Sequence, residues 1–157
     1  MIRATRREDW QLLRDVRLRA LQEAPYAFLM TYEESAAHPD ELWQERSTAS
    51  DRATTFVLES EGRFDGMVTG FADEESPTVY LVGMWVAPER RGTGVAQQLV
   101  ERVVEWARGR GATRVLLSVE AGNTRAARLY ERCGFVRLAE QPQLPWTSDS
   151  PAYELAL

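Results

Sequence analysis

The segment that most constrains this chain is residues 88–96, where Gly92 and Gly94 lie between an apolar stretch and a helical pattern. The apolar stretch predicts a strand that ends before Pro88, and the periodicity after Gly94 predicts an amphipathic helix. Glycines in such a turn let the backbone approach a ligand closely. The start of a helix also leaves unpaired N–H groups at the positive end of its dipole. The segment therefore predicts a turn that binds a phosphate or a pyrophosphate.

Two common phosphate-binding loops do not fit this turn. The nucleoside-triphosphate loop requires Gly-x-x-x-x-Gly-Lys-Ser/Thr, and the chain contains no such stretch. The dinucleotide pattern Gly-x-Gly-x-x-Gly fails at its last position, which is Gln97. A third pattern, Arg/Gln-x-x-Gly-x-Gly/Ala, fits Arg91, Gly94 and Ala96. It resembles the pyrophosphate loop of the GNAT superfamily of N-acetyltransferases, which bind acetyl-CoA.

A second segment strengthens this resemblance. Residues 123–135 are similar to the family's Asn-x-x-Ala-x-x-x-Tyr-x-x-x-Gly-Phe, with Asn123, Ala126, Tyr130 and Phe135 at the matching positions. The spacing of the first three places them on one face of a helix. The two motifs occur in the family's order, and the resemblance covers residues 79–135 strongly and the flanks loosely.

Length and composition exclude several classes of protein. The 157 residues, of which 44% are hydrophobic, predict one domain with an ordinary core. No apolar run reaches the ~20 residues of a membrane span, and no apolar signal region follows Met1, so we expect a cytoplasmic protein. The single cysteine agrees with a reducing compartment. The net charge of −5 disfavours nucleic acid as the main partner and mildly favours a cationic acceptor.

Periodicity and turn signals predict the order strand, two helices, three strands, helix, strand, helix and two strands. The predicted strands are 2–4, 54–59, 64–72, 78–86, 114–120, 135–138 and 152–157, and the predicted helices are 5–22, 39–48, 94–110 and 123–133. Thr5 and Glu8 predict a capping box at the first helix. The order predicts an α+β fold. It is also the GNAT order, which implies a mixed, mostly antiparallel sheet splayed in the middle and flanked by about four helices.

The resemblance implies how acetyl-CoA would be bound. The pyrophosphate would lie among the backbone N–H groups of Arg91, Gly92, Thr93, Gly94, Val95 and Ala96, with the Arg91 guanidinium nearby. The backbone of Met84, Trp85 and Val86 would pair with the pantetheine amides like an added strand. Asn123 and Ala126 would lie near the pantetheine, and Asn123 also suits a helix N-cap. An ordinary strand-to-helix turn and ordinary strand pairing are the alternatives.

Catalysis of amine acetylation requires a donor to the departing thiolate and a route for the amine proton. Tyr130 is the candidate donor, and an aromatic core residue is the alternative. Deprotonating an amine of pKa ~10 at pH 7 costs ~4 kcal/mol. Some family members carry a glutamate five residues before the Asn of the second motif, but this chain has Ser118 there. The candidate bases are Glu120, two residues further along the same predicted strand, and Glu33 or Glu34, whose segment lines the acceptor site in the resembled fold.

Aromatic side chains indicate where the acceptor would bind. Tyr32, Trp85 and Trp146, together with Glu33, are the candidate acceptor contacts, with core packing as the alternative. Cys133 and the single histidine, His38, form no recognisable catalytic pair. The sequence has no cluster with metal-ligand spacing, so we expect no metal.

The resemblance implies an N-acetyltransferase. An acetyl or related acyl group would pass directly from acetyl-CoA to an amine of a small molecule or peptide in a ternary complex. A non-catalytic acyl-CoA-binding module of the same fold is the alternative, which Ser118 keeps open. The failed dinucleotide pattern disfavours an oxidoreductase. Dimers are common for the resembled fold, but the sequence carries no signature of one.

Overall fold

The computed structural model describes residues 1–146 and 148–157. The strands are β1 (Ile2–Ala4), β2 (Ala53–Ser60), β3 (Arg63–Ala72), β4 (Thr78–Val86), β5 (Arg114–Ser118), β6 (Val136–Arg137) and β7 (Ala152–Ala156). The α-helices are α1 (Trp10–Glu23), α2 (Tyr32–Ala36), α3 (Asp40–Ser47), α4 (Val95–Gly109) and α5 (Thr124–Arg132). In this part of the chain, no helix is both long enough and apolar enough to cross a membrane.

The strands form one sheet in the order β1-β2-β3-β4-β5-β7-β6. Neighbouring strands are antiparallel except β4 and β5, which run parallel. The sheet is therefore mixed and mostly antiparallel, which confirms the predicted fold class.

The sheet is splayed in its middle, as predicted. The parallel ladder joins only residues 78–80 to residues 114–116, and beyond it β4 and β5 separate. On its other edge β4 has a bulge, because Gly83 and Met84 together stand opposite Val68 of β3. Gly83 has a φ of +65°, which glycine adopts without the steric cost of a Cβ. A gap therefore opens beside a locally distorted strand.

Helices cover both faces of this sheet. One layer contains α1 and α3 and packs on Val57 and Trp85, and the other contains α4 and α5 and packs on Phe56 and Val86. Phe56 and Val57 are consecutive, as are Trp85 and Val86. The two residues of each pair pack against opposite layers because strand side chains alternate between the two faces of the sheet. Burial on both faces explains why β4 is an almost continuous apolar run.

The start of the first helix differs from the prediction. A 3-10 turn, Arg7–Asp9, precedes α1. The Thr5 hydroxyl is buried and has no hydrogen-bond partner among the described residues, so the predicted capping box with Glu8 is wrong. Instead Asp9 accepts a hydrogen bond from the Arg6 backbone N–H at 2.7 Å and two from the Arg3 guanidinium at 2.7 and 2.9 Å. The Asp9 carboxylate, which Arg3 holds in place, thus accepts the backbone hydrogen bond at this turn.

Helix α2 has no counterpart among the predicted elements. It begins with a capping box in which the Thr31 hydroxyl accepts from the Glu34 N–H at 3.1 Å. In return the Glu34 carboxylate accepts from the Thr31 N–H at 3.2 Å. The helix has five residues, too few for an apolar period to be visible in the sequence.

Candidate functional site

The gap between β4 and β5 opens into a cleft of about 640 Å³. Its walls are residues 26–30 of the segment between α1 and α2, residues 81–84 at the β4 bulge, residues 118–120 at the end of β5, and the inner side of α5. Side chains from several other elements complete it: Arg17, Phe71, Trp146, Ser148 and Ser150. The lining is mainly apolar, with a few polar and charged groups.

Side chains from both helix layers reach this cleft. Phe28 packs against the α1 and α3 layer, whereas Ala126 and Leu129 pack against the α4 and α5 layer. All three line the same cavity, because the parted strands no longer separate the two faces of the sheet. This geometry gives room for two molecules that approach from opposite faces and meet at the gap.

The glycine-rich turn, residues 91–94, is separated from β4 by the 3-10 turn Pro88–Arg90. Gly92 and Gly94 have φ values of +78° and +86°, which L side chains rarely adopt. Among the described residues, nothing accepts a hydrogen bond from the N–H groups of Gly92, Thr93 or Gly94. The first N–H groups of α4 are also free of backbone partners, as at any helix start, and no side chain caps them. The turn therefore presents adjacent N–H donors at the positive end of a helix, a geometry that binds anions.

Arg91 departs from its predicted place in this turn. Its backbone N–H donates to the Pro88 carbonyl at 3.3 Å and is not free. Its Nε donates to the Val86 carbonyl at 3.0 Å, and its terminal nitrogens donate to the Glu23 carboxylate at 3.1 and 2.9 Å. Trp85 Nε1 donates to the same carboxylate at 2.9 Å. Arg91 thus anchors the turn to α1 and β4, and its charge is paired.

The ion pair between Glu23 and Arg91 is stable at neutral pH. The hydrogen bonds from Arg91, and after them the one from Trp85, hold the pKa of Glu23 below its ordinary value. The Glu23 carboxylate therefore stays ionised at neutral pH and pairs with the Arg91 guanidinium. The unpaired donors that this turn offers to an anion are therefore its backbone N–H groups.

Helix α5 presents Asn123 and Tyr130 to the cleft. Asn123 caps the helix, since its Oδ1 accepts from the Ala126 N–H at 3.2 Å, and in the described part of the chain its amide nitrogen has no acceptor. Tyr130 is buried and packs edge-on against Phe135. Burial, and to a smaller extent Cys133, raises the pKa of Tyr130, so its hydroxyl stays protonated at neutral pH.

The three predicted contact residues of β4 do not share one environment. Met84 lines the cleft from within the bulge. Trp85 and Val86 pair in register with β3, and the Val86 carbonyl also accepts from Arg91. The Trp85 indole is buried in the α1 and α3 layer and does not line the cleft. The geometry therefore gives no support to the prediction that the Trp85 side chain contacts an acceptor.

The predicted bases and acceptor contacts are also divided. Glu120 is exposed and lines the cleft just after β5. Trp146 lines it as well, edge-on to Tyr80 with 5.6 Å between ring centroids. Tyr32 and Glu33 lie on α2 and do not line the cleft. The structure thus brings Glu120 and Trp146 together with the α5 residues, and leaves the two residues of α2 outside.

Two features of the cleft were missed from the sequence. Arg17 lines it from α1, but in the sequence it looks like any polar residue on an amphipathic helix. Gly83 did carry a signal, because a glycine inside an apolar strand is typical of a bulge. Both residues lie at the same point, since Arg17 Nη1 is 3.0 Å from where a Cβ would stand on Gly83.

Other reactive residues of the chain give no alternative site. Cys133 is half-buried, and burial raises the pKa of its thiol, which therefore stays protonated. His38 packs near Trp43, with 6.0 Å between ring centroids. Within the described residues, no three His, Cys, Asp or Glu side chains come close enough to share a metal ion.

Comparison with known proteins gives matches of one kind. Residues 15–135 match the family described as "Acetyltransferase (GNAT) family". A mycothiol acetyltransferase from Stackebrandtia nassauensis is 34% identical over 128 residues, covering 73% of this chain and 39% of that protein. An aminoglycoside N(6')-acetyltransferase type 1 from Salmonella typhimurium is 29% identical over 112 residues, covering 62% of this chain and 74% of that protein.

Solved structures show the same fold. The PaiA N-acetyltransferase from Thermoplasma acidophilum, in complex with coenzyme A, has a TM-score of 0.78 at 16% identity. That match covers 100% of this chain and 98% of the other. The chain spans 39% of the length of the mycothiol acetyltransferase that it matches, so the activity of that whole protein is not transferred with the fold.

Proposed function

The chain belongs to the GNAT acetyltransferase family, and from this premise we propose that it transfers an acetyl group from acetyl-CoA to an amine. The observation that carries the proposal is a cleft between the parted strands β4 and β5, together with a turn of free N–H donors that follows the carboxyl end of the same strand β4. A molecule with a pyrophosphate at one end and a thioester at the other fits this arrangement. We further propose that residues 1–157 form one domain, because both helix layers pack on a single sheet.

Acetyl-CoA would lie along β4. Its pyrophosphate would accept hydrogen bonds from the backbone N–H groups of residues 92–97, where the helix dipole also favours an anion. Its pantetheine would follow the bulge at Gly83 and Met84, with the free amide nitrogen of Asn123 as a donor. The thioester would then reach the gap beside Tyr130. Arg91 serves in this arrangement as an anchor of the turn and not as the main phosphate ligand.

The reaction would be a direct attack. The neutral amine nitrogen bonds to the thioester carbonyl carbon, the carbon–sulfur bond breaks, and the amine proton finally resides on the thiol of CoA. Most of the rate enhancement comes from holding the two reactants together in the gap. Tyr130 donates a hydrogen bond to the sulfur as negative charge develops there. Since its pKa is raised, Tyr130 stabilises the thiolate by this bond and does not give up its proton outright.

Glu120 is the carboxylate in position to receive the ammonium proton. It is exposed at the lip of the cleft, so proton transfer through water is the natural route. Glu120 follows β5 and comes two residues after Ser118, which also lines the cleft. A non-catalytic acyl-CoA-binding module is the second candidate, favoured by this serine at the position where some family members have a base.

A calorimetric titration and a turnover assay separate the two candidates. We expect acetyl-CoA to bind, with NADH and ATP as controls that do not. A panel of amines is then screened for acetyl-CoA-dependent release of thiol. Binding with turnover supports the enzyme, binding without turnover of any amine supports the module, and no binding contradicts both.

A further inference from the structure

Arg17 is a cationic side chain inside the cleft that no carboxylate neutralises. In the described part of the chain, its guanidinium makes no ion pair, and the charge that most affects it is another cation, Arg46. Its guanidinium carbon lies 4.7 Å from the centre of the Phe28 ring, and its Nη1 lies against Gly83. By contrast Arg19, on the same helix, donates to the carboxylates of Asp15 and Asp65.

An arginine without an ion pair, such as Arg17, is unusual in a chain whose net charge is negative. Burial, and then Arg46, lowers its pKa to about 10, so the group still carries its proton at neutral pH. A desolvated charge without a partner is unfavourable in a folded protein, and such groups are normally paired. The aromatic ring of Phe28 compensates only in part. The missing counter-charge is therefore expected from a ligand.

The position of Arg17 indicates which ligand supplies the anion. The pyrophosphate of acetyl-CoA has its own donors in residues 92–97, beyond the far end of β4. Arg17 and Phe28 instead belong to the layer of α1, on the other face of the sheet from α5. A guanidinium binds a carboxylate through two parallel hydrogen bonds, which fixes its orientation as well as its charge.

Large apolar and aromatic side chains line much of the cleft besides Arg17. They are Tyr26, Phe28, Leu29, Met30, Phe71 and Trp146, and Ser148 and Ser150 are polar residues of the same lining. Tyr26 and Leu29 are 67% and 78% exposed, large values for apolar side chains at the edge of a cavity. Such a surface favours an apolar group on the ligand.

We propose that the acceptor is an amino acid with a large apolar side chain, whose carboxylate is bound by Arg17. The inference rests on the proposed acetyltransferase function. An acceptor with a carboxylate differs from the cationic acceptor that the net charge favours. The substrate contacts the cleft, so the local charge there matters more than the overall charge of the protein. Arg17 also disfavours a second cation beside it, so it helps the bound ammonium group to lose its proton before attack.

The test compares three acceptors that differ only at the carboxylate: L-phenylalanine, L-phenylalanine amide and 2-phenylethylamine. The parallel set from leucine is leucine, leucine amide and 3-methylbutylamine. Thiol release at saturating acetyl-CoA gives kcat/KM for each compound. We expect the acids to exceed their amides and amines by about 10- to 100-fold, the effect of charge-assisted hydrogen bonds. This comparison needs only the unaltered protein.

Variants then assign the preference to a residue. In Arg17→Gln the ratio of kcat/KM between acid and amine should fall to near unity, mainly through a higher KM for the acid. Arg17→Lys keeps the charge without the planar fork and should recover part of the ratio. Arg14→Gln, on the same helix but outside the cleft, should keep the full ratio. The Kd for acetyl-CoA should be the same in all four proteins, which also reports correct folding.

Several results would overturn this inference. One is an equal kcat/KM for acid and amine in the unaltered protein, and another is a ratio that survives in Arg17→Gln. A third is the absence of acetylation for every compound of both sets by a protein that binds acetyl-CoA and acetylates other amines. A protein that does not bind acetyl-CoA would instead refute the proposed function, so the two failures are distinguishable.

Discussion

In the proposed function, the carboxyl end and the middle of β4 lie beside different kinds of binding site. At its carboxyl end, the anion-binding turn uses backbone N–H groups of consecutive residues, 92–97. In its middle, the acceptor half of the cleft uses side chains from α1, the segment after α1, β3 and the stretch before β7. Each of these two places also has one arginine: Arg91 is paired with Glu23, whereas Arg17 has no carboxylate partner among the described residues.

We propose that this difference separates binding of acetyl-CoA from choice of the acceptor. The turn needs no free side-chain charge, because oriented N–H groups and the start of α4 already favour an anion. Its function therefore depends on backbone conformation, which the glycines permit. The acceptor half depends on side chains that a single substitution can change. We expect changes in the turn to affect binding of acetyl-CoA with any acceptor, and changes around Arg17 to affect only the choice of acceptor.

The largest effect should come from Gly94→Val. A β-branched residue at a φ of +86° is strained, so the turn must change conformation and lose the alignment of its N–H donors. We expect the Kd for acetyl-CoA, measured by calorimetry, to rise by about 50-fold or more, since several charge-assisted hydrogen bonds weaken together.

A matched control for this variant exists elsewhere in the chain. Gly62, in the turn between β2 and β3, has a φ of +76°, and a Cβ on either glycine would meet no atom within 4 Å. Gly62→Val should therefore cost similar stability without weakening the binding of acetyl-CoA. If Gly94→Val bound acetyl-CoA as well as Gly62→Val does, the pyrophosphate would have to lie somewhere else.

A smaller effect, on turnover and not on binding, is expected for Tyr130→Phe. The substitution removes the hydrogen-bond donor to the thiolate and keeps the ring that packs on Phe135. We expect kcat to fall by about 10- to 100-fold, while the Kd for acetyl-CoA stays within about twofold. Tyr153→Phe removes a hydroxyl from the same apolar core outside the cleft and serves as the control. Equal kcat values in both variants would remove Tyr130 from the mechanism.

The fold follows from the sequence to a large extent, because its elements depend on local signals. The seven strands were predicted from apolar runs and turn residues, and four helices from their period or their capping signals. The errors concern one capping hydrogen bond and one short helix. Thr5 is a residue type that often caps helices. At this helix start, however, the geometry is decided by the ion pair between Arg3 and Asp9. Helix α2 is too short for its period to be visible, although Thr31 and Glu34 do carry a capping signal.

The site follows from the sequence only where it is contiguous. The turn and α5 are each continuous segments, so their spacing predicts their geometry. The partners of Trp85 are distant in sequence, and the strand alternation that buries its indole in the layer of α1 depends on the exact register at the bulge. Arg17 was missed for the same reason, because an arginine without a partner is recognised only when all possible partners have been located in space.

The smallest predicted effect concerns Glu23→Gln, which tests whether Arg91 is an anchor. The pKa of Glu23 is lowered in the folded protein, so its ionised form stabilises the fold at pH values above the ordinary carboxyl pKa. This contribution is lost as the pH falls through the lowered value. The ion pair is roughly a third exposed, and solvent screening limits its contribution to about 1 kcal/mol or less.

We therefore expect Glu23→Gln to lower the free energy of unfolding at pH 7, measured by urea denaturation and circular dichroism, and to differ less from the unaltered protein at pH 3. Glu89→Gln breaks a more exposed pair with Arg63 and should change this free energy less. The Kd for acetyl-CoA should change by less than about threefold in Glu23→Gln, because the backbone N–H donors remain. A Kd that rose by about tenfold or more would mean that the ion pair belongs to the cofactor site itself, and the contrast between Arg91 and Arg17 would then fail.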